Sequence, residues 1–267
     1  MSYARAWQKW FPVIEQGAAG LNERMLQLAE LEHARTVLDI GTGIGEPAVS
    51  IAQRMGPGRQ VIAIDRDPIM IEFARERAAG MGVANVEFDI TDIDDFDCGQ
   101  PRFDVVVARW SLMFSADLDS LLKRLSTFLH PGGRLVAATW DAPERVPSIT
   151  LARRVARDRL GLEPFEYGPG TAFSLQNPER LVEAMAAAGF DEISCEQVAV
   201  PYRFSSVEEY IDNRIALSGP LWDQMETAPE ATMTEVTRAI ESALQVYREA
   251  NGSYLLVNTA HCLSGRI

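Results

Sequence analysis

Residues 37–45 read Val37-Leu38-Asp39-Ile40-Gly41-Thr42-Gly43-Ile44-Gly45, and this run decides the fold. Its apolar start predicts a buried strand that ends in an acid. Three glycines then give a turn into a helix beginning near Glu46-Pro47. Glycine lets the main chain turn sharply and lets a ligand lie against the backbone. A dinucleotide pyrophosphate wants bare N–H groups at a helix N-terminus. Here Asp39 and Glu46 bracket the loop with negative charge instead. That arrangement suits a ligand with cationic centres.

Further strands follow at regular intervals. Gln60–Asp65 reads as a second strand, again ending in an acid, about twenty residues beyond the glycines, where a carboxylate can accept ribose hydroxyls. Asn85–Ile90 is a third, followed by Asp92-Ile93, and Phe103–Ala108 a fourth, ending at Arg109-Trp110. A helix over Leu118–Leu129, a turn at His130-Pro131-Gly132-Gly133 and a fifth strand over Arg134–Thr139 complete the series. Apolar runs alternating with amphipathic helices predict an α/β fold, a doubly wound parallel sheet covered on both faces. The sulfonium and ammonium groups of S-adenosylmethionine (SAM) match the charge of the glycine loop. NAD matches it poorly, and Glu46 interrupts the Gly-x-Gly-x-x-Gly pattern a dinucleotide would want.

On these motifs the chain resembles the class I SAM-dependent methyltransferases, in the branch that includes the ubiquinone/menaquinone C-methyltransferases. The matching stretches are Val37–Ala52, Val61–Ala78, Val86–Asp95 and Phe103–Trp140, with a weaker match over Asn177–Val200. The resemblance implies a seven-stranded sheet whose last strand is antiparallel. It implies that Asp39 meets the amino-acid part of SAM, that the loop Gly41, Thr42, Gly43 to Gly45 holds the methionine backbone, and that Asp65 binds the ribose. It places Arg66 beside the adenine, Asp92 on the adenine amino group, the Ile93 N–H on a ring nitrogen, and Arg109 beside the methionine moiety. The approach to strand five, Leu125–His130, and a long insertion before the last strand depart from the quinone enzymes. Both departures weigh against a quinone acceptor.

Composition narrows the function classes. A net charge of −13 argues against a nucleic-acid substrate, since phosphate recognition needs a basic surface. No apolar run has the length of a membrane span, and the first ten residues, with three aromatics, are not a signal core. Cys98, Cys195 and Cys262 are too scattered for a disulfide framework, and His33, His130 and His261 lack metal-ligand spacing. A cytoplasmic, metal-free enzyme is expected.

The chain is expected to form one methyltransferase domain over 1–267: an N-terminal helical cover (1–34), a SAM-binding core (35–140), connecting helices and a sixth strand (141–204), a helical insertion (205–250) and the last strand (251–267). Trp7 and Trp10 share a helix face and either close over the cofactor or staple the helix to the sheet. Arg153, Arg154, Arg157 and Arg159 either clamp an anionic group or, the favoured reading, form a solvated face. The insertion, with Tyr210, Trp222 and Met225 on an apolar face, reads as a lid over the acceptor, or alternatively as a homodimer surface. Trp110, Met113, Phe114 and Trp140 follow strand carboxyl ends, where ligands bind in this architecture, and are expected to shape an acceptor pocket. The expected reaction is in-line methyl transfer in a closed cleft to oxygen or carbon of an apolar or aromatic small molecule. No catalytic base is identified. The rival readings are a non-catalytic SAM-binding sensor or partner, and a nicotinamide-dependent oxidoreductase.

Overall fold

The computed structural model describes residues 3–99, 102–161, 167–217 and 229–267. Trp222 and Met225 lie outside the described residues. The chain divides into two compact units. A sheet unit comprises 20–141, 167–198 and 260–267, and a helical unit comprises 1–19, 142–166 and 199–259.

The sheet has seven strands: β1 (Thr36–Ile40), β2 (Gln60–Asp65), β3 (Val86–Ile90), β4 (Phe103–Arg109), β5 (Leu129–Trp140), β6 (Asp191–Phe204) and β7 (Tyr254–Arg266). Their order is β3-β2-β1-β4-β5-β7-β6, with β1 to β5 parallel and β7 antiparallel to β5. The chain reverses its direction across the sheet after β3, so a crevice opens beyond the carboxyl ends of β1 and β4, where open α/β sheets bind ligands. Val37, Leu38, Val61, Ala63, Val106 and Ala108 are buried, as strands covered on both faces must be.

Helices α2 (Ala48–Met55), α3 (Pro68–Gly80), α4 (Leu118–Phe128) and α6 (Pro178–Ala187) belong to this unit. Three of them start on a side-chain cap. Asp67 accepts from the Ile69 N–H, Asp117 from the Ser120 N–H and Asn177 from the Glu179 N–H, and Pro68 and Pro178 fill the first turn where no N–H is needed. Asp104 ties the start of β1 to β4: its carboxylate accepts from the Arg35 and Thr36 N–H groups at 2.7 and 2.9 Å.

In the helical unit, α5 (Pro147–Leu160), α7 (Val207–Leu217) and α8 (Glu230–Leu244) are joined by the first part of α1 (Tyr3–Leu28) and the outer ends of β6 and β7. Asn258 braces this unit, accepting from the Ser148 N–H at 3.0 Å and donating to the Val200 carbonyl at 2.9 Å. A Cβ on Gly17 would lie 2.2 Å from the Tyr202 ring, so only glycine lets α1 approach β6 there. Trp10 is buried and Trp7 half-buried on this helix. Tyr210 is 0% exposed, edge-to-face on Phe204, and its hydroxyl accepts the Ala152 N–H at 3.1 Å. The packing makes Tyr210 a core residue of the helical unit. The arginines of α5 lie on its outer side, where Arg157 pairs with Asp158 at 2.5 Å.

Some element boundaries differ from the sequence expectation. The N-terminal helix ends at Leu28, short of the end of the cover expected over 1–34, and holds Pro12 within it. The expected turn at 130–133 belongs to β5, which starts at Leu129 and makes an irregular step against Phe103–Val105. Among the described residues no helix is long and apolar enough to cross a membrane.

Candidate cofactor and acceptor site

The glycine loop lies over the end of β2. The Gly41 and Thr42 N–H groups both donate to the Ile64 carbonyl, at 2.8 and 2.9 Å. Gly41 and Gly43 adopt φ of +69° and +55°, a left-handed backbone that strains other residues. Their surroundings differ. A Cβ on Gly41 would meet the Ser111 Cβ at 2.5 Å, and one on Gly45 would crowd Val49 and Ala74, so these two glycines allow packing. A Cβ on Gly43 would meet nothing within 4 Å. Gly43 is the open face of the loop.

Two buried acids flank it. Asp39 Oδ2 accepts the Ala48 N–H at 3.1 Å, which places the carboxylate at the N-terminus of α2. Glu46 pairs with Arg77 of α3 and accepts from Ser50 Oγ at 2.9 Å, while Arg77 also donates to the Gly45 carbonyl at 3.2 Å. Asp39 Oδ1 and Glu46 Oε2 are buried and accept no hydrogen bond. Burial pushes the Asp39 carboxyl up to about 7, with the Thr42 hydroxyl, the Arg109 guanidinium and the Ala48 N–H opposing the rise. Buried carboxylate oxygens without donors fit a cationic ligand and disfavour a phosphate.

The Asp39 shift has a consequence for stability. Its folded-state pKa is about 7 against an ordinary 3.8. Between those values the folded chain holds a proton that the unfolded chain has released, so this group lowers stability as pH rises through the window. Asp39→Asn is expected to flatten that part of the pH dependence. Parallel thermal melts of the two proteins from about pH 4 to about pH 7 check it. Curves that fall in parallel would remove Asp39 as the cause.

Asp65, at the end of β2, accepts the Gly43 N–H on Oδ2 at 2.8 Å and the Asp67 N–H on Oδ1 at 2.9 Å. Burial raises its pKa, and these two N–H groups oppose the rise. The carboxylate thus fixes the open glycine and still has a lone pair on each oxygen for a further donor. Arg66 is exposed and lies 3.8 Å from Asp92, so the structure brings Arg66, Asp92 and the adjoining Ile93 together beyond β2 and β3. This loop is tied down by residues the motif reading did not single out. Arg124 donates to the Ile93 carbonyl at 2.7 Å, and Asp94 accepts from Ser115 Oγ at 2.6 Å and the Ala116 N–H at 2.8 Å.

At the carboxyl end of β4, Arg109 donates to Asn22 at 2.8 Å and lies 5.1 Å from the Trp110 ring centre. Trp110 has φ +55°, costly for a bulky side chain and characteristic of functional sites. The turn stacks Trp110 on Trp140 of β5, with centroids 4.3 Å apart and planes 14° from parallel. The Trp110 indole N–H and the Ser111 hydroxyl are buried without a partner. Of the following turn, Met113 is buried and its carbonyl accepts from Ser174 Oγ at 2.6 Å, whereas Phe114 is 41% exposed. Because Ser111 abuts Gly41, the tryptophan pair is contiguous with the glycine loop.

Of the predicted residues, the sheet unit carries Asp39, Gly41, Thr42, Gly43, Gly45, Asp65, Arg66, Asp92, Ile93, Arg109, Trp110, Met113, Phe114 and Trp140 on successive strand ends. Trp7, Trp10 and Tyr210 belong to the helical unit. Arg77, Asn22 and Asp94 were not anticipated. Of these three, only Asp94 carries a signal in the sequence, since it lies in an acidic run with Asp92, Asp95 and Asp97.

Comparison with known proteins agrees with this geometry. A methyltransferase domain family matches residues 31–163. Demethylmenaquinone methyltransferase of Thermus thermophilus is 30% identical over 177 residues, covering 62% of this chain and 79% of its own length. Phosphoethanolamine N-methyltransferase 3 of Arabidopsis thaliana is 24% identical over 73% of this chain, which spans only 36% of that longer relative. The crystal structure of a SAM-dependent methyltransferase from Aquifex aeolicus shares the fold, with a TM-score of 0.53 and 19% identity over 72% of this chain and 92% of that one. These matches set aside the oxidoreductase reading. The chain belongs to the class I SAM-dependent methyltransferases.

Proposed function

We propose that this protein methylates an oxygen or carbon of an apolar or aromatic small molecule. The observation that carries this reading is the Trp110–Trp140 stack beside the glycine loop, with a buried indole N–H that has no partner. Stacked indoles offer an apolar wall, and an orphaned donor beside them is satisfied by an oxygen of the acceptor. Trp110, Met113, Phe114 and Trp140 would form that wall.

SAM would supply a sulfonium-bound methyl group. Asp39, the loop Gly41 to Gly45 with Thr42, and Arg109 would hold its amino-acid part, Asp65 its ribose, and Arg66, Asp92 and Ile93 its adenine. The chain's own work is then placement and exclusion of water. Charge leaves sulfur as the methyl moves, so an apolar wall favours the transition state over the charged ground state, and alignment lowers the barrier further. Both relatives named above act, by their names, on small molecules, and the −13 charge of this chain also favours such an acceptor over nucleic acid. The reading takes 1–267 as one methyltransferase domain.

The test is incubation with methyl-labelled SAM and an extract of the cell that makes the protein, followed by mass spectrometry. Label is expected in a small apolar product, and Trp110→Ala is expected to lower it at least tenfold with SAM affinity kept, the loss of about 1.4 kcal/mol of acceptor binding. Label chiefly in protein or RNA would overturn the acceptor class. SAM binding with no labelled product of any class would favour a non-catalytic sensor.

A further inference from the structure

We propose that the carboxyl end of β4 reads the carboxylate of SAM, through the Arg109 guanidinium, which Asn22 of α1 positions, and through the Ser111 hydroxyl. The proposal rests on the methyltransferase reading above and adds to it one recognised group on the cofactor and two residues, Asn22 and Ser111, that serve it.

All three residues belong to the sheet unit, as does the glycine loop. The loop itself has little to offer an anion. The Gly41 and Thr42 N–H groups donate to the Ile64 carbonyl and that of Gly43 to Asp65. Those of Gly45 and Glu46 donate to the Thr42 carbonyl and that of Ala48 to Asp39. Acceptors are instead in surplus, since Asp39 Oδ1 and Glu46 Oε2 are buried without a donor. The amino-acid end of SAM carries an ammonium, which only donates, and a carboxylate, which only accepts. The ammonium matches the two acids. The carboxylate depends largely on donors from outside the loop.

Strand order brings such donors to the right place. Asp92 and Asp65, proposed above for the adenine and the ribose, follow β3 and β2. The next strand ends in the order β3-β2-β1-β4 are those of β1 and β4. A ligand laid along that edge reaches the glycine loop and then Arg109 to Ser111 with its amino-acid end.

Arg109 is half-buried. It donates to Asn22 Oδ1 at 2.8 Å, and its charge opposes the rise in the Asp39 pKa, which puts the guanidinium near the acid of the loop. A guanidinium presents five N–H groups in a planar fork that fits a carboxylate. Asn22 orients that fork through a neutral oxygen, so it does not cancel the charge.

Ser111 supplies the second donor. Its Cβ lies 2.5 Å and its Oγ 3.3 Å from where a Gly41 Cβ would be, so it packs directly on the loop. It also stands at the start of the helical turn Leu112–Phe114, where serine ordinarily caps, yet its hydroxyl makes no cap bond. Ser111 is 7% exposed and its hydroxyl has no partner. Gly41, on which it packs, and Trp110, which precedes it, are both half-buried. A carboxylate at this edge removes the cost of leaving that hydroxyl unsatisfied.

The experiment is titration calorimetry of the full chain with two ligands. One is S-adenosylhomocysteine, and the other is S-adenosyl-3-thiopropylamine, which lacks only the carboxylate. The wild type is expected to bind S-adenosylhomocysteine at least about tenfold more tightly. Asn22→Ala and Ser111→Ala are each expected to weaken S-adenosylhomocysteine by about three- to tenfold and to leave the amine within about twofold. Asn22→Asp isolates a merely structural role, because it keeps the contact with Arg109 but neutralises the guanidinium. Carboxylate recognition predicts weakened S-adenosylhomocysteine binding in Asn22→Asp, whereas a role confined to holding α1 predicts wild-type affinity. Equal or tighter binding of the amine by the wild type overturns the proposal even if a variant folds poorly. Alanine variants that leave S-adenosylhomocysteine affinity unchanged, or that weaken both ligands equally, also overturn it, as does wild-type affinity in Asn22→Asp. If the wild type binds neither ligand, the parent reading fails instead.

Discussion

Gly43→Val is expected to weaken SAM binding by about 3 kcal/mol or more, roughly a hundredfold, with the fold retained. Two effects combine. At φ +55° a β-branched side chain strains the backbone, on the order of 1–3 kcal/mol. Its methyl groups also fill the one part of the loop that the protein leaves empty, since a Cβ on Gly43 meets no protein atom within 4 Å. The same emptiness means that no core contact is broken, so the thermal midpoint should fall only modestly. Gly41→Val is the contrasting variant, because its Cβ is driven against Ser111 at 2.5 Å and the damage there is to the fold itself. Calorimetry and thermal melts of the two variants separate these outcomes. Normal SAM affinity in Gly43→Val would mean that the ligand does not lie on this face of the loop.

Asp65→Ala comes next, with an expected loss of about 1.5–3 kcal/mol in SAM binding from the charge-assisted bonds to the ribose alone. The structure adds a second route to the same loss. Asp65 Oδ2 holds the Gly43 N–H at 2.8 Å, so the substitution also frees the loop whose shape the ligand needs. Asp65→Asn distinguishes the two routes. Its amide oxygen can still accept one of the two N–H groups, but its amino group faces the other donor, so a partial loss of affinity is expected. Burial already raises the Asp65 pKa, so removing its charge should harm binding more than stability. Titration calorimetry beside thermal melts reads both. An unchanged affinity in Asp65→Ala would move the cofactor away from the end of β2.

Local sequence carried the glycine loop and the acids after β1 and β2, because apolar strand, turn and polar terminus are adjacent in the chain. The antiparallel β7 came only through the resemblance, since strand order is a long-range property. α1 holds Pro12 within it and continues to Leu28, with Leu21 and Met25 buried. The strand character of 130–133 was hidden by two consecutive glycines; Gly132 donates to the Ile267 carbonyl at 2.7 Å, a partner at the far end of the chain. Arg77 reaches Glu46 and the Gly45 carbonyl across 31 and 32 positions, and no spacing rule brings such residues together. The burial of Tyr210 against Phe204 was not legible, because periodicity does not say which neighbour covers an apolar stripe. Trp110 was legible as a strand-end aromatic, but its left-handed backbone and its stack on Trp140 were not, because both depend on the adjacent strand.

Titration calorimetry of the wild-type chain with SAM and, separately, with NADH tests the central claim most directly. Buried, unpartnered carboxylate oxygens at Asp39 and Glu46 beside an open Gly43 predict one SAM bound per chain and no NADH. Tight NADH binding with no SAM binding would contradict the account.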